Sequence, residues 1–293
     1  MQVHGQITDI KSTVEIYDIT TGKREVVYSE SAHFEAPNWS RNGNFLILNS
    51  GGKLFRLELD TKKKSFINTG FADRINNDHG ISPDGSQLVI STSDMPKPGD
   101  EHNNWLTSKI YLLPAEGGVP QIVTNLAPSF WHGWSPDGQT LAYVASRKEG
   151  FDIYTIDING GDEKRLTHEK GHKDGPDYSA DGVYIYYNSV QSGSMEIWRM
   201  KTDGSQKVQL TNDRFSNWFP HPSPNGEVLV YLSYLEDQGA DHPAMKQVAL
   251  KLFDIRTKTI KTLCKFTGGQ GSINVPSWSP DGKKFAFVSY EAQ

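Results

Sequence analysis

The chain has 293 residues, a net charge of −5, 36% hydrophobic residues and one cysteine. The acid excess and the lack of a basic run argue against nucleic acid and against an anionic membrane surface. No apolar run approaches the roughly 18 residues of a membrane helix. Cys264 has no partner for an intrachain disulfide and no motif that would make it a nucleophile, so it reads as strand filling.

Met1 to Ser12 lacks the apolar core of a signal peptide, which places the chain as written in the cytoplasm, or in the periplasm if a leader has been removed. The first elements are a strand over Thr13 to Ile19, a turn at Thr20 to Lys23 and a strand over Glu25 to Tyr28. They look like half a unit, because no turn-plus-strand motif precedes them. The turn-plus-strand motif then appears six times. Its turns are Ser40-Arg41-Asn42-Gly43, Ser82-Pro83-Asp84-Gly85, Ser135-Pro136-Asp137-Gly138, Ser179-Ala180-Asp181-Gly182, Ser223-Pro224-Asn225-Gly226 and Ser279-Pro280-Asp281-Gly282. Proline presets φ at the second turn position and glycine relieves the exit.

An apolar strand follows every turn, with Leu46, Leu88, Leu141, Ile185, Leu229 and Phe285 three positions after the glycine. The position after each is apolar too, so the strand is buried on both faces. A third strand carries an aliphatic–aromatic pair, as in Ile110-Tyr111, Ile153-Tyr154 and Ile197-Trp198. A four-stranded repeat of this length, spaced 42 to 56 residues, predicts an all-β, six-bladed β-propeller of four-stranded antiparallel blades as a single domain, residues 1–293. The chain ends after a hairpin and two strands, so the last blade, blade six, is expected to combine 275–290 with the N-terminal strands, 12–29. Blades two and five carry long insertions, Ser93 to Ser108 and Tyr234 to Lys246, whose Pro, Gly and Asp content marks loops.

Trp134 to Gly138 with Leu141-Ala142-Tyr143, then Ile153-Tyr154, Asp157, Gly160-Gly161 and Arg165-Leu166-Thr167, resembles the repeat of TolB-like propellers. Trp278 to Gly282 with Phe285-Ala286-Phe287 matches equally well. The resemblance implies the propeller fold and a partner-binding protein of the cell envelope. TolB itself is similar in its propeller but carries an N-terminal α/β domain, for which this chain is expected to have no room. The same repeat builds peptidase propellers and oligogalacturonate-lyase-like enzymes. No Gly-x-Ser-x-Gly elbow stands in the sequence, which excludes a complete peptidase of that type.

Strand order puts the Ser-Pro-Asp-Gly turns on one face of the disc. The entry segments of the innermost strands and both insertions fall on the other. Eight of the nine histidines map to that entry face. The candidate ligand-binding residues are His79, His132, His172 and His221 with Asp78, Asp174, Trp131 and Trp218. Imidazole, carboxylate and tryptophan around a channel mouth suit a polar ligand. The alternatives are that these histidines bond to backbone, that the aspartates cap loops, and that the tryptophans seal gaps between blades.

The leading reading is a non-enzymatic scaffold that takes a protein or peptide segment, or a small polar or anionic ligand held more weakly as pH rises through the histidine range. No cofactor is expected. The alternative is a metal-dependent, oligogalacturonate-lyase-like enzyme on acidic carbohydrate, with a divalent metal at the mouth. That reading lacks His-x-His, His-Glu-x-x-His and a Cys pair, and six blades depart from the seven of the lyase family.

Overall fold

The computed structural model describes residues 10–96, 101–148 and 150–293, with the backbone alone at 101–103. Of the residues named above, Met1 to Thr8 and Asp9, the Lys97 to Asp100 stretch of the blade-two insertion and the His102 side chain lie outside the described residues.

Five sheets have four antiparallel strands and a sixth has three. Blade one runs outward from the axis as Glu35–Trp39, Phe45–Ser50, Lys53–Glu58 and Lys64–Ile67. The innermost strands of blades two to five are Ile75–Ile81, Ser129–Trp134, Lys173–Tyr178 and Ser216–Pro222. The second strands, such as Thr140–Ala145 and Val228–Tyr234, are almost wholly buried because each blade is pressed between two others. Each large apolar side chain withdrawn from water there contributes roughly 1.5–3 kcal/mol.

The Ser-Pro-Asp-Gly turn is held by its serine and its aspartate as well as by proline and glycine. In blade three, Ser135 Oγ donates to Asp137 Oδ1 at 2.5 Å and accepts from Thr140 N at 2.9 Å. Asp137 Oδ1 also accepts from Gln139 N at 3.0 Å, and Gly138 sits at φ 70. The turns ring one face. A Cβ placed on Gly138 would stand 3.7 Å from Pro83, one on Gly182 3.7 Å from Pro136, and one on Gly43 3.8 Å from Pro280.

The ring closes between the termini, as the split unit predicts. Ile10–Asp18 lies antiparallel to Lys284–Ala292, in register from Ile10 opposite Ala292 to Asp18 opposite Lys284. Arg24–Glu30 completes that sheet on the outside. Its innermost position differs from a regular strand: the segment before the last turn makes one bridge, Trp278 to Phe285. Pro276 and Pro280 flank that bridge and lack the N–H a ladder needs. The segment still follows its neighbour through Val288 N to Ser272 O and Ala286 N to Ser277 O, both at 3.0 Å.

Among the described residues no helix is long and apolar enough to cross a membrane.

Candidate functional site: the entry-side mouth

Every innermost strand of blades one to five has a register break near its start, between Glu35 and Asn38, Ile75 and His79, Trp131 and Gly133, Asp174 and Asp177, and Trp218 and His221. A bulge bends a strand and re-aims the side chains beside it. Three of these bulges place a residue at positive φ: Ala36 at 54, Gly175 at 58 and Phe219 at 54. The bulged stretches supply Glu35, Asp78, His132, Asp174 and Phe219, and the segment of blade six supplies Asn274.

His132 is the centre of this group. Its Nε2 lies 3.1 Å from Asp174 Oδ1 and 3.9 Å from Asp78 Oδ1, and its Nδ1 lies 3.3 Å from Asn274 O. Carboxylate and carbonyl oxygens only accept, so both ring nitrogens must donate and the ring is an imidazolium. Burial alone would lower its pKa, but the Asp78 and Asp174 carboxylates outweigh burial and push it up to about 9. Burial raises Asp78 to about 7, with His132 pulling down and Asp174 pushing up. Asp174 is held well below the usual carboxylate range: burial opposes ionisation, but hydrogen bonds from His132 and His172 prevail. Glu35 has His33 Nε2 at 3.8 Å, farther than His132 and His172 stand from Asp174. Burial, and then the charge of Asp78, push it up to about 8.

Around this centre His172 Nε2 lies 3.2 Å from Asp174 Oδ2, and His242 Nε2 lies 3.8 Å from the same oxygen. Trp218 meets His242 edge-on at 4.5 Å between ring centroids and lies 5.8 Å from His172. The structure thus brings together five of the eight candidates: Asp78, His132, Asp174, His172 and Trp218.

The other three lie apart. His79 is fully buried, its Nε2 3.4 Å from Ile47 O of blade one, and burial drops its pKa to about 4. It is a neutral ring that donates to a carbonyl. His221 bridges blades, with Nδ1 3.1 Å from Asp177 Oδ2 and Nε2 2.8 Å from Ile273 O. Trp131 fills the gap between blades two and three, where a Cβ on Gly80 would fall 2.1 Å from its Cη2.

A cavity of about 360 Å³ lies at the opposite, turn-side mouth, and of the eight candidates only Trp131 lines it. The pocket expected from the sequence is at the entry side. There, long side chains converge on the axis, whereas the compact turns leave room at the other end.

Glu35, Phe219, His242 and Asn274 belong to the entry-side cluster without having been among the eight. Glu35, Asp174 and Asn274 share one signal, each standing five residues before a turn serine. His242 is one of the insertion histidines.

The donor set suits a divalent metal poorly. The central imidazole carries a proton on both nitrogens and already neutralises the carboxylates an ion would need. Among the described residues no three His, Cys, Asp or Glu side chains converge as metal ligands.

Residues 105–242 match the family model for the TolB beta propeller domain. An uncharacterized protein of Agrobacterium fabrum, Atu1656, is 48% identical over 96% of this chain and 93% of the relative. A solved structure from Agrobacterium tumefaciens that carries the TolB name is 46% identical, covers 96% of this chain and 99% of its own, and superposes with a TM-score of 0.90. The Tol-Pal system protein TolB of Francisella tularensis is 26% identical over 83% of this chain, which spans 54% of that protein. The repeat, the six sheets and these matches agree: the chain belongs to the TolB-like β-propeller family.

Proposed function

We propose that the chain is a binding scaffold whose entry-side mouth receives a protein segment, or a small polar ligand, that donates hydrogen bonds. The observation that supports this most is the convergence of Glu35, Asp78, His132, Asp174, Phe219 and Asn274, one from each of six blades, within a rim that includes His172, His242 and Trp218. Residues far apart in the chain meet there on rigid strands, which suits recognition. The histidines face carboxylates: His172 and His242 face Asp174, and His33 Nε2 lies 3.8 Å from Glu35 Oε1. Their ring N–H groups are therefore directed at carboxylates inside the protein. What remains for a ligand is acceptor capacity on the carboxylates, with Trp218 and Phe219 buried behind them as the fixed support of the rim. The relative named for the Tol-Pal system supports the protein-segment form of the reading.

This reading changes the sign of the pH dependence expected from histidines alone. As pH rises through about 7 and about 8, Asp78 and then Glu35 become charged. A segment that presents an ammonium or N–H groups should then bind more tightly toward alkaline pH.

The test is selection of random displayed peptides on the immobilised protein, followed by hydrogen exchange of the complex. Enriched peptides should protect amides of residues 171–175 and 269–275, bind more tightly at the higher of two pH values, and lose affinity on His172→Ala. Peptides that protect only the turn-side face, or ignore His172→Ala, would overturn the reading.

A further inference from the structure

The cavity at the turn-side mouth lies at the far end of the channel from the entry-side cluster. Its lining includes Trp134, Trp278 and Tyr178, each nearly buried but with an edge left open, and Trp131 behind them, around a space of about 360 Å³. Four turn prolines, Pro83, Pro136, Pro224 and Pro280, form its rim. The second position of the blade-one turn breaks the pattern. There the chain has Arg41, which also lines the cavity.

Arg41 is fixed in place. Its Nε donates to Ser82 O at 3.0 Å and its Nη2 donates to Ile81 O at 2.9 Å. Those bonds leave Nη1 with no hydrogen-bond partner among the described residues, on a side chain that is exposed to solvent. The carboxylate whose charge acts on Arg41 is Asp177, which is engaged by His221 Nδ1 at 3.1 Å. No carboxylate among the described residues forms an ion pair with Arg41. Two further donors, the indole N–H groups of Trp131 and Trp134, are buried in the same walls without a partner among the described residues. Arg41 also borders a hollow of about 450 Å³ between blades one and two, so a ligand held at the guanidinium has room beyond the axis.

A preorganised guanidinium with N–H groups to spare recognises a carboxylate strongly. Aromatic and proline walls recognise a ring. We propose that the turn-side mouth is a second ligand site, which takes a small carboxylate carrying a flat ring, with the carboxylate on Arg41 and the ring against Trp134, Trp278 and the turn prolines. The site is independent of the entry-side reading.

The test is calorimetric titration of the whole chain with 3-phenylpropionate, 2-phenylethylamine and propionate. The first should bind saturably and change tryptophan emission. The amine lacks the anion and propionate lacks the ring, so each should bind about tenfold more weakly or worse. Arg41→Gln should lower affinity for 3-phenylpropionate about tenfold. Arg41→Pro restores the residue found in four of the other turns, so it should fold normally and show the same loss. His172→Ala, at the other mouth, should leave the affinity unchanged. The proposal fails if 3-phenylpropionate does not bind saturably, if the amine binds as well, or if both Arg41 variants keep wild-type affinity.

Discussion

Glu35 should cost the fold stability at neutral and alkaline pH, and Glu35→Gln should return it. Glu35 is 9% exposed, with Asp78 as the charge that acts on its carboxyl and His33 Nε2 at 3.8 Å. Tyr290 and Gly271 crowd it, since a Cβ on Gly271 would fall 2.8 Å from Glu35 Cγ and 2.3 Å from the Tyr290 hydroxyl. Burial lifts its pKa from 4.5 to about 8. Below the unfolded value both states hold the proton, so the group costs nothing. Above it, the unfolded chain releases the proton while the folded chain keeps it. The penalty therefore grows with pH until the folded value is reached.

At 1.36 kcal/mol per pH unit, the interval from 4.5 to about 8 corresponds to about 5 kcal/mol. Glutamine has the same shape but buries an amide, which costs about 1–2 kcal/mol. The expected gain is therefore about 2–4 kcal/mol near pH 8, and about zero or slightly negative near pH 5. Urea denaturation followed by tryptophan emission at both pH values measures it, with equal m-values showing that the same surface is exposed. A variant with the same change in stability at both pH values, or one destabilised near pH 8, would refute the assignment of Glu35 as a buried neutral acid.

Asp174→Asn removes the charge that faces His132 at 3.1 Å and His172 at 3.2 Å, and should destabilise by about 3–5 kcal/mol; a change under about 1 kcal/mol in urea denaturation would remove the ion cluster from the stability argument. Gly80→Ala places a Cβ 2.1 Å from Trp131 Cη2, so it should cost about 3 kcal/mol and shift tryptophan emission. Gly138→Val meets nothing closer than 3.7 Å, so its cost should come from φ 70 alone, about 1–3 kcal/mol, with unchanged emission; the reverse order of the two glycine variants would contradict this. Deleting residues 1–30 removes Ile10–Asp18, which pairs with Lys284–Ala292, and Arg24–Glu30 outside it, and should abolish cooperative melting, whereas a monomeric product with the wild-type transition would contradict closure through the termini.

The strands were legible because burial on both faces leaves its own pattern. Leu141-Ala142-Tyr143 can only be a strand pressed between two blades, and the turn before it repeats its Ser and Asp because their side chains bond to each other and to the next backbone N–H groups. The site was legible to the level of segments, since counting back from each turn serine finds the stretch that enters the channel. Which side chain reaches the axis was beyond that count. His79 and His132 both stand three residues before a turn serine, yet one is wedged against Ile47 and the other meets Asp78 and Asp174. The bulges explain the difference. In blade two the register runs from Ile75 opposite Thr92 to His79 opposite Ile90, so the inner strand carries two extra residues. In blade three it runs from Trp131 opposite Tyr143 to Gly133 opposite Ala142, which is one extra residue. One residue more or less turns a side chain to the other face of a strand. The bulge length is set by what the neighbouring blades can accept. Gly80 leaves space for Trp131, and Gly175 leaves space for Asn188 Oδ1 and Phe219. The axis chemistry is thus decided by contacts between repeats, and a pattern read within one repeat cannot contain them.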